Sequence, residues 1–327
     1  MTASTIVAVS FGSFVGFGLR FDPSYPLALG AQNARAHALV QEHYHLNDPI
    51  LSRYWYWATG FVRHGFGRTV SVDVGGVPPR FRSLGTPIGP RLWRASAVTA
   101  QLVGAALVLV VLGSLLVGTV SAQRRRFRVD VSLRLLAYLA AAVPTFLIGD
   151  LLLRVIVPHE TFTLVEGTLH ASGGGWWFLL GPPTGGLVDW FRHMTLPVVA
   201  LAIGLIGLYS RYVRSSMLVT LDRPYVAVAR AKGLPERRVV VRHALRNSLI
   251  PFTSLLSLDV GGVIGASLAA DAVFNTGGLA STFLSSLGQA DPFQLVALFV
   301  VAAVVVSVFT LVGDVLVGLL DPRTRVA

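Results

Sequence analysis

The sequence contains no cysteine and only one lysine, and charged residues make up just 13% of it. Without cysteine there can be no disulfide, no thiolate metal ligand and no thiol nucleophile. The single lysine, Lys232, precedes Gly233 rather than Ser or Thr, which excludes a phosphate-binding loop of the G-x-x-x-x-G-K-[ST] kind. We therefore expect that this chain does not hydrolyse ATP by that route.

Apolar sequence is what the chain has in abundance. Its 327 residues are 53% hydrophobic, and the mean hydropathy is +0.65, which is far from the balance of a soluble domain. The net charge of +11 would favour nucleic acid as a partner if the basic residues shared one surface. They cluster instead at the ends of apolar runs, as in membrane proteins, so nucleic acid is not an expected partner.

Five apolar runs are long enough to cross a hydrocarbon core, which takes about 20 helical residues. They lie near residues 96 to 120, 131 to 157, 194 to 213, 249 to 270 and 293 to 320. A sixth run from Ile6 has only about 15 apolar residues and is a marginal span. A cleaved signal peptide is the alternative for this run, although no basic region precedes it.

The runs predict an all-α polytopic membrane protein with about six transmembrane helices. We predict a short or truncated first transmembrane segment at 1–20, an extracytoplasmic segment at 21–95 and a core of five transmembrane helices at 96–327.

Arginine and lysine in the connections predict the orientation. The segment RRRFR (Arg124 to Arg128) is basic, and the stretch from Tyr225 to Pro251 has six basic residues and one acid, whereas 158–189 and 275–292 have no Arg or Lys. Basic loops, with the tail DPRTRVA, are therefore expected in the cytoplasm. The nine Arg of residues 20 to 95 are a weak objection, since segments longer than about 60 residues are translocated largely regardless of charge.

The outer segment is predicted to have structure of its own. ARAHALVQEHYHL is typical of a short amphipathic helix, and the aromatic cluster RYWYWATGF suits a headgroup interface. His43 and His45 are one residue apart without further ligands, which favours ordinary surface residues over a metal site.

The basic stretch carries the signals of two helices. Asp222 with Pro224 indicates a helix start, and Gly233 a left-handed stop about ten residues later. Pro235 and Glu236 then open a second helix. The first helix is too short to span a membrane, which favours docking against a cytoplasmic partner. A basic loop held by anionic headgroups is the alternative.

Several motifs follow one another in the order of a known family. They are YVAVARAKGL, RHALRN with Pro251, the upstream span LPVVALAIGLIGLYSRYVRSSML, the downstream AADAVFNTGGL, QADPF and VGDVLVGLLDPR, and HGFGRTV in the outer segment. In these motifs the chain resembles the permease subunits of ABC importers for dipeptides, oligopeptides and nickel. It departs from the family at RFDPSYP, at Ala280 and at Thr310, and RHALRN favours the first, "B"-type, permease of the pair.

This resemblance implies a type I ABC importer permease fold with a cytoplasmic coupling loop at 215–248, whose short helix seats on an ATPase. The residues it assigns to coupling are Tyr225, Ala229, Arg230, Ala231, Lys232, Gly233 and Leu234. The implied partners are a second permease, two ATPase subunits or domains that bind ATP and Mg, an extracytoplasmic substrate-binding protein, a peptide substrate and membrane lipid. We predict no cofactor, metal or catalytic residue in this chain.

Charged residues inside the spans are expensive and therefore worth interpreting. Asp150 and Arg154 are four apart and should neutralise each other. Asp271 and Asp314 are candidates for the translocation path, although helix contacts or capping near the membrane edge would also explain them. Asp259, beside several glycines, could attract the amino group of a peptide, with a partner arginine as the alternative.

Two other function classes are weighed against the permease. An ion-gradient-driven secondary transporter would use the intramembrane acids for coupling, and its transport would collapse with the proton gradient. A polytopic membrane enzyme lacks support, because no G-x-S-x-G, H-E-x-x-H or paired-carboxylate pattern is present. Peptide, nickel and glutathione remain the alternatives for the cargo.

Overall fold

Most of the chain is described by a computed structural model, and most of that part is helical. The described residues are 2–20, 41, 45, 47–63, 66, 87–125, 127–156, 161–165, 168–172, 174–175, 178–183, 185–288 and 292–320. The predicted helix ARAHALVQEHYHL, the elements RFDPSYP and HGFGRTV and the tail DPRTRVA lie wholly or almost wholly outside these residues.

Twelve α-helices, one π-helix and four short strands make up the described part. The α-helices are α1 (Thr2–Arg20), α2 (Ile50–Arg63), α3 (Ile88–Gln123), α4 (Arg128–Ala142), α5 (Thr145–Ile156), α6 (Leu187–Leu221), α7 (Pro224–Ala231), α8 (Glu236–Arg238), α9 (Arg246–Leu258), α10 (Val260–Phe274), α11 (Leu279–Gly288) and α12 (Pro292–Leu320). The π-helix spans Val239–Leu245, and the strands are β1 (Thr161–Val165), β2 (Thr168–Ser172), β3 (Gly174–Gly175) and β4 (Phe178–Leu179).

The strands are local additions to a helical protein, and sequence analysis did not predict them. β1 pairs with β2, and β3 pairs with β4 in antiparallel register, with Gly174 opposite Leu179 and Gly175 opposite Phe178. All four lie in the connection between α5 and α6. The all-α class therefore holds for the architecture.

All five predicted spans correspond to apolar helices. Within the described residues, α3, α6 and the Phe293–Val315 part of α12 are each long and apolar enough to cross a membrane. Two further candidates are helix pairs with a bend, α4 with α5 and Glu236–Leu256 with α10, which brings the number to five if each pair is one span. The apolar part of α1, Ser4–Gly18, is shorter, as the sequence predicted.

The two bends were not predicted, and each lies at a residue with non-helical backbone angles. α4 and α5 meet at 104°, where Val143 is extended (φ −86°, ψ 124°) because the following Pro144 disfavours helical backbone before it. The second pair is bent by 67° at Asp259, whose φ of −97° and ψ of 11° interrupt the helix between α9 and α10.

The structure divides into two compact units, which we describe separately. The first consists of Met1–Thr99, Phe162–His170 and Gly277–Ser307. There the hydroxyl groups of Ser10 on α1 and Tyr54 on α2 lie 2.7 Å apart, and Phe11 meets the Tyr54 ring edge to face. The predicted domain boundary at residue 95 stays a prediction.

The second unit consists of Ala100–Thr161, Ala171–Thr276 and Val308–Ala327, and α6 is its central helix. Glycine lets two neighbours approach the backbone of α6 closely. A Cβ atom on Gly118 of α3 would lie 2.7 Å from the Ser210 carbonyl oxygen, and one on Gly207 of α6 would lie 2.6 Å from that of Ala137 on α4. The apolar core around α6 contains Val110, Ala202, Tyr209, Val213, Met217 and Phe252.

Candidate functional site

The start of the predicted docking helix is set by proline. α7 has Pro224 at its first position, where the missing N–H costs no helical hydrogen bond. The N-cap is Arg223, with extended backbone and no side-chain cap. Asp222, predicted as part of the start signal, lies one residue earlier, and its carboxylate accepts a hydrogen bond from Arg125 at 3.3 Å.

The end of α7 is a Schellman motif, and the predicted stop at Gly233 is confirmed. Gly233 has a φ of +75°, and its N–H donates to the Arg230 carbonyl at 2.9 Å. The Leu234 N–H donates to the Ala229 carbonyl at 3.4 Å. These two bonds satisfy carbonyls that a helix end leaves open. α7 has 8 residues, slightly fewer than predicted, and is ~12 Å long.

The inner face of α7 is held by a small apolar cluster. Val226 and Ala229 are buried there together with Val239 of the π-helix, and Leu221 and Leu234 pack against them. A helix of two turns is unstable in water by itself, so this packing keeps α7 folded. Ala229, predicted at the centre of the docking segment, therefore faces the protein's own core.

The outer face of α7 contains most of the predicted coupling residues. Exposed residues of the predicted set are Tyr225, Arg230, Ala231, Lys232 and Gly233, whereas Leu234 is half-buried. Val228 was not predicted, yet 53% of it is exposed. Helical spacing in the sequence could have indicated this, since Val228 lies on the side of the helix opposite the buried Val226 and Ala229. The outer face is thus apolar at its middle and basic at its end.

Arg230 joins the two helices on either side of Gly233. Its Nη2 donates to Glu236 Oε1 at 2.7 Å, and its Nε donates to Oε2 at 3.1 Å. This hydrogen bonding by the carboxylate raises the pKa of Arg230 above its ordinary value. Both side chains are exposed, so the pair fixes geometry more than it adds stability.

Tyr225 connects α7 to the H-A-L-R-N segment of the resemblance. Asn247 Nδ2 donates to the Tyr225 hydroxyl at 2.8 Å and to the His243 carbonyl at 3.0 Å. His243 lies in the π-helix, a form that is rare and often found at functional sites. The two motifs, separated along the chain, are therefore one structural unit.

An open groove lies next to α7. It has a volume of ≈ 620 Å³, and Tyr225 belongs both to its lining and to the outer face of α7. The other lining residues are Tyr212, Ser215, Ser216, Val219, Thr220, Arg223, Asn247, Pro251 and Phe252. A partner seated on α7 thus has a concave surface beside the helix.

Asp259, the main candidate for the translocation path, has a tyrosine as its partner. Tyr209 of α6 is fully buried, and its hydroxyl donates to Asp259 Oδ2 at 2.7 Å. The arginine considered in the sequence analysis is not the bonded group. A Cβ atom on Gly262 would lie within contact distance of Asp259 Oδ1, so glycine there leaves room for the carboxylate.

The other two path candidates lie in different surroundings. Asp271 is buried near the end of α10 and accepts a hydrogen bond from Thr276 at 2.6 Å. It follows Asp259 by ~18 Å along the helix axis. Asp314 is exposed on α12. The predicted neutralisation of Asp150 by Arg154 is confirmed by an N to O distance of 2.8 Å.

Metal binding finds no support in the described part of the chain. No group of three or more histidine and acidic side chains there could hold a metal ion. His45 lies 3.2 Å from Asp48 and stacks on Tyr56. His43 lies outside the described residues.

A buried ionic network was missed by the sequence analysis. Asp130 at the start of α4 is only 1% exposed, and both of its oxygens accept hydrogen bonds from Arg214 of α6 at 2.9 Å. Ser121 of α3 donates to the same carboxylate at 2.5 Å, and Arg134 lies 3.4 Å away. The only signal in the sequence was an acid and an arginine at the ends of two apolar runs.

Several apolar helices, with a short capped helix displayed between two of them, are those of a multi-pass membrane protein. The chain belongs to the family described as "Binding-protein-dependent transport system inner membrane component", whose model matches residues 114–326.

Individual relatives match over most of their length. The oligopeptide transport system permease protein OppB of Mycobacterium tuberculosis is 31% identical over 301 residues, covering 90% of this chain and 85% of the relative. The oligopeptide transport system permease protein AppB of Bacillus subtilis is 30% identical over 291 residues, covering 86% and 83%. The dipeptide transport system permease protein DppB of Lactococcus lactis is 29% identical over 326 residues, covering 99% and 95%.

Proposed function

We propose that this chain is the permease subunit of an ATP-driven importer of dipeptides or oligopeptides in the bacterial inner membrane. The printed names of its relatives support peptide as the cargo. The single structural observation that carries the proposal is α7, a short, firmly capped helix with an exposed apolar and basic face.

In this proposal α7 is the coupling helix and lies in the cytoplasm. The partners are a second permease that completes the path, two ATPase subunits or domains and an extracytoplasmic protein that delivers peptide. ATP and Mg bind to the ATPases, and this chain performs no catalysis. A capped helix with its inner face packed is rigid enough to transmit the movement of a partner.

The docking contact can be tested by cross-linking, because the chain has no cysteine of its own. Single cysteines at Val228 and Lys232, on the outer face of α7, should cross-link to the ATPase in the assembled complex. Val226→Cys is the matched control, since Val226 is fully buried on the inner face of the same helix. Failure of both outer cysteines to reach the ATPase in a transporting complex would contradict the proposal.

The energy source and the cargo need a separate experiment. Proteoliposomes with the complete complex should take up dipeptides or oligopeptides when ATP is supplied and should continue after the proton gradient is dissipated. Uptake that requires the gradient and not ATP would establish a secondary transporter. Uptake of nickel or glutathione in place of peptide would keep the mechanism and change the cargo.

Asp259 remains our proposed contact for the substrate path. Its carboxylate is half-buried at a helix break and is bonded through one oxygen to Tyr209. We expect Asp259→Asn to reduce uptake of peptides with a free amino end more than uptake of blocked peptides, because only the former carry a positive charge. Asp150→Asn, at an exposed pair, is the control. Equal uptake of both peptides in the Asp259 variant would remove Asp259 from the path.

A further inference from the structure

A displacement of α7 would reach two neighbours: the π-helix, through packing on Val239, and α6, through the chain. α6 and α7 are separated by only Asp222 and Arg223, and Leu221 at the end of α6 packs into the apolar cluster of α7. α6 is also the central helix of its unit, with α3 and α4 against it at distances that only glycine permits. The helices that move together with α6 therefore determine how far a displacement of α7 is transmitted.

α4 is fixed to α6 at two points with matching spacing. One is steric, where Gly207 meets the Ala137 carbonyl, and the other is ionic, where Arg214 meets Asp130. The points are seven positions apart on each helix and occur in opposite order along the chain, as in an antiparallel pair. Both spacings equal about two helical turns, ~10 Å, so the helices stay in register between the points.

The ionic point resists sliding more than an apolar contact would. A guanidinium and a carboxylate joined by two parallel hydrogen bonds allow one relative position, whereas apolar side chains can shift along a groove. Asp130 is buried, and pulling Arg214 away would break two charge-assisted hydrogen bonds inside the protein and leave Ser121 and Arg134 beside the carboxylate. Ser121 binds the same carboxylate and so adds the end of α3 to this point.

We propose that Asp130 is a positioning residue for coupling: it locks α4 to α6, so that the two helices move as one rigid body when α7 is displaced. This inference rests on the proposed function, since it assumes that a partner drives α7. A direct consequence is that the motion reaches α4 without any change in the contact between α4 and α6.

The first test is the ratio of peptide taken up to ATP hydrolysed by the complete complex in proteoliposomes. Asp130→Asn retains the shape of the side chain and loses its charge, so the ratio should fall on the order of tenfold while ATP hydrolysis continues. Asp150→Asn removes an acid from an exposed pair and should leave the ratio unchanged. An unchanged ratio for assembled Asp130→Asn would overturn the proposal.

The second test does not depend on the ionic residues. Arg211 of α6 lies over the ring of Tyr138 of α4, 4.9 Å from its centre, and Tyr138 directly follows Ala137 of the steric point. Both positions are changed to cysteine and joined by a short thiol cross-linker, and the same variant without linker is the baseline. A rigid pair predicts full uptake and full ATP hydrolysis after cross-linking. Loss of either activity would show that the helices slide and would overturn the proposal.

The two tests also separate this inference from the proposed function. Peptide uptake by the unaltered complex tests the function alone. If the unaltered complex takes up no peptide, ATP hydrolysis with and without the cross-link still reports whether α4 and α6 move together. If Asp130→Asn fails to assemble, the cross-linking result decides.

Discussion

Two interruptions of helical structure in this molecule are stabilised in opposite ways. The turn at Gly233 between α7 and α8 is exposed, yet it is stabilised by a Schellman motif and by the Arg230 and Glu236 pair. The Tyr225 and Asn247 bond fixes the other end of α7. The break at Asp259 between α9 and α10 has one side-chain hydrogen bond, from buried Tyr209. The first should tolerate loss of any one side-chain contact, and the second should not.

The largest effect is expected at the Asp259 break. Tyr209→Phe removes the donor and leaves a half-buried carboxylate without it, which should lower the free energy of unfolding by about 1–3 kcal/mol. Thermal unfolding of the detergent-purified protein measures the change. Tyr212→Phe is the control, since Tyr212 is an exposed tyrosine on the same helix. A loss of stability no greater than in the Tyr212 variant would show that the bond between Tyr209 and Asp259 does not stabilise the helix break.

The next largest effect is expected at Gly233. Its φ of +75° costs an ordinary L-residue about 1–2 kcal/mol, so Gly233→Ala should weaken the end of α7 and reduce cross-linking from Val228→Cys to the ATPase. Gly233→Asn is the control, because asparagine tolerates this conformation. Equal cross-linking from Val228→Cys with glycine, alanine or asparagine at position 233 would mean that the left-handed turn does not position α7.

A smaller effect is expected from the bond between Tyr225 and Asn247. Tyr225→Phe removes the hydrogen bond from Asn247 and the longer one that the hydroxyl donates to the His243 carbonyl at 3.4 Å, and at this exposed site it should cost about 0.5–1.5 kcal/mol. Because Gly233 and Arg230 still hold the turn, α7 should remain docked on its inner face. Proteolysis of the purified protein in detergent measures whether the turn opens. Rapid cleavage next to Gly233 would show that this bond alone holds the turn.

The smallest effect is expected from Arg230. Its pair with Glu236 is exposed on both sides, so Arg230→Gln should change the free energy of unfolding by at most ~1 kcal/mol, and less at high salt. Glu236→Gln should give the same small change in the free energy of unfolding if Arg230→Gln acts only by breaking this pair. A large loss of cross-linking to the ATPase with unchanged stability would instead assign Arg230 to the partner contact.

Short-range signals explain what could be predicted from the sequence. Pro224 and Gly233 determine backbone angles locally, so the bounds of α7 followed from residue type. The apolar runs located all five candidate spans, because the length and hydropathy of a segment are also properties of the segment alone. The bend at Pro144 had a visible signal, but the run around it was mostly apolar and was interpreted as one continuous helix.

Long-range contacts explain what was missed. Asp130 and Arg214 are 84 positions apart, and only the packing of α4 on α6 brings them together. An arginine was expected as the partner of Asp259, because a charged group in apolar surroundings is usually paired with an opposite charge. The structure instead shows a hydrogen bond from the buried hydroxyl of Tyr209 on α6. The inward position of Ala229 likewise depends on Val239, which lies beyond the turn.

The length of α6 has a consequence for where α7 can be met. Its 35 residues extend ~52 Å, whereas a bilayer with its headgroups is about 40–45 Å thick. Even at the average tilt of about 20°, this helix outreaches the barrier that it crosses. Eight of its residues, 214–221, follow the apolar run at 194–213, so α6 holds α7 ~12 Å beyond that run, which favours an approach by a water-soluble protein.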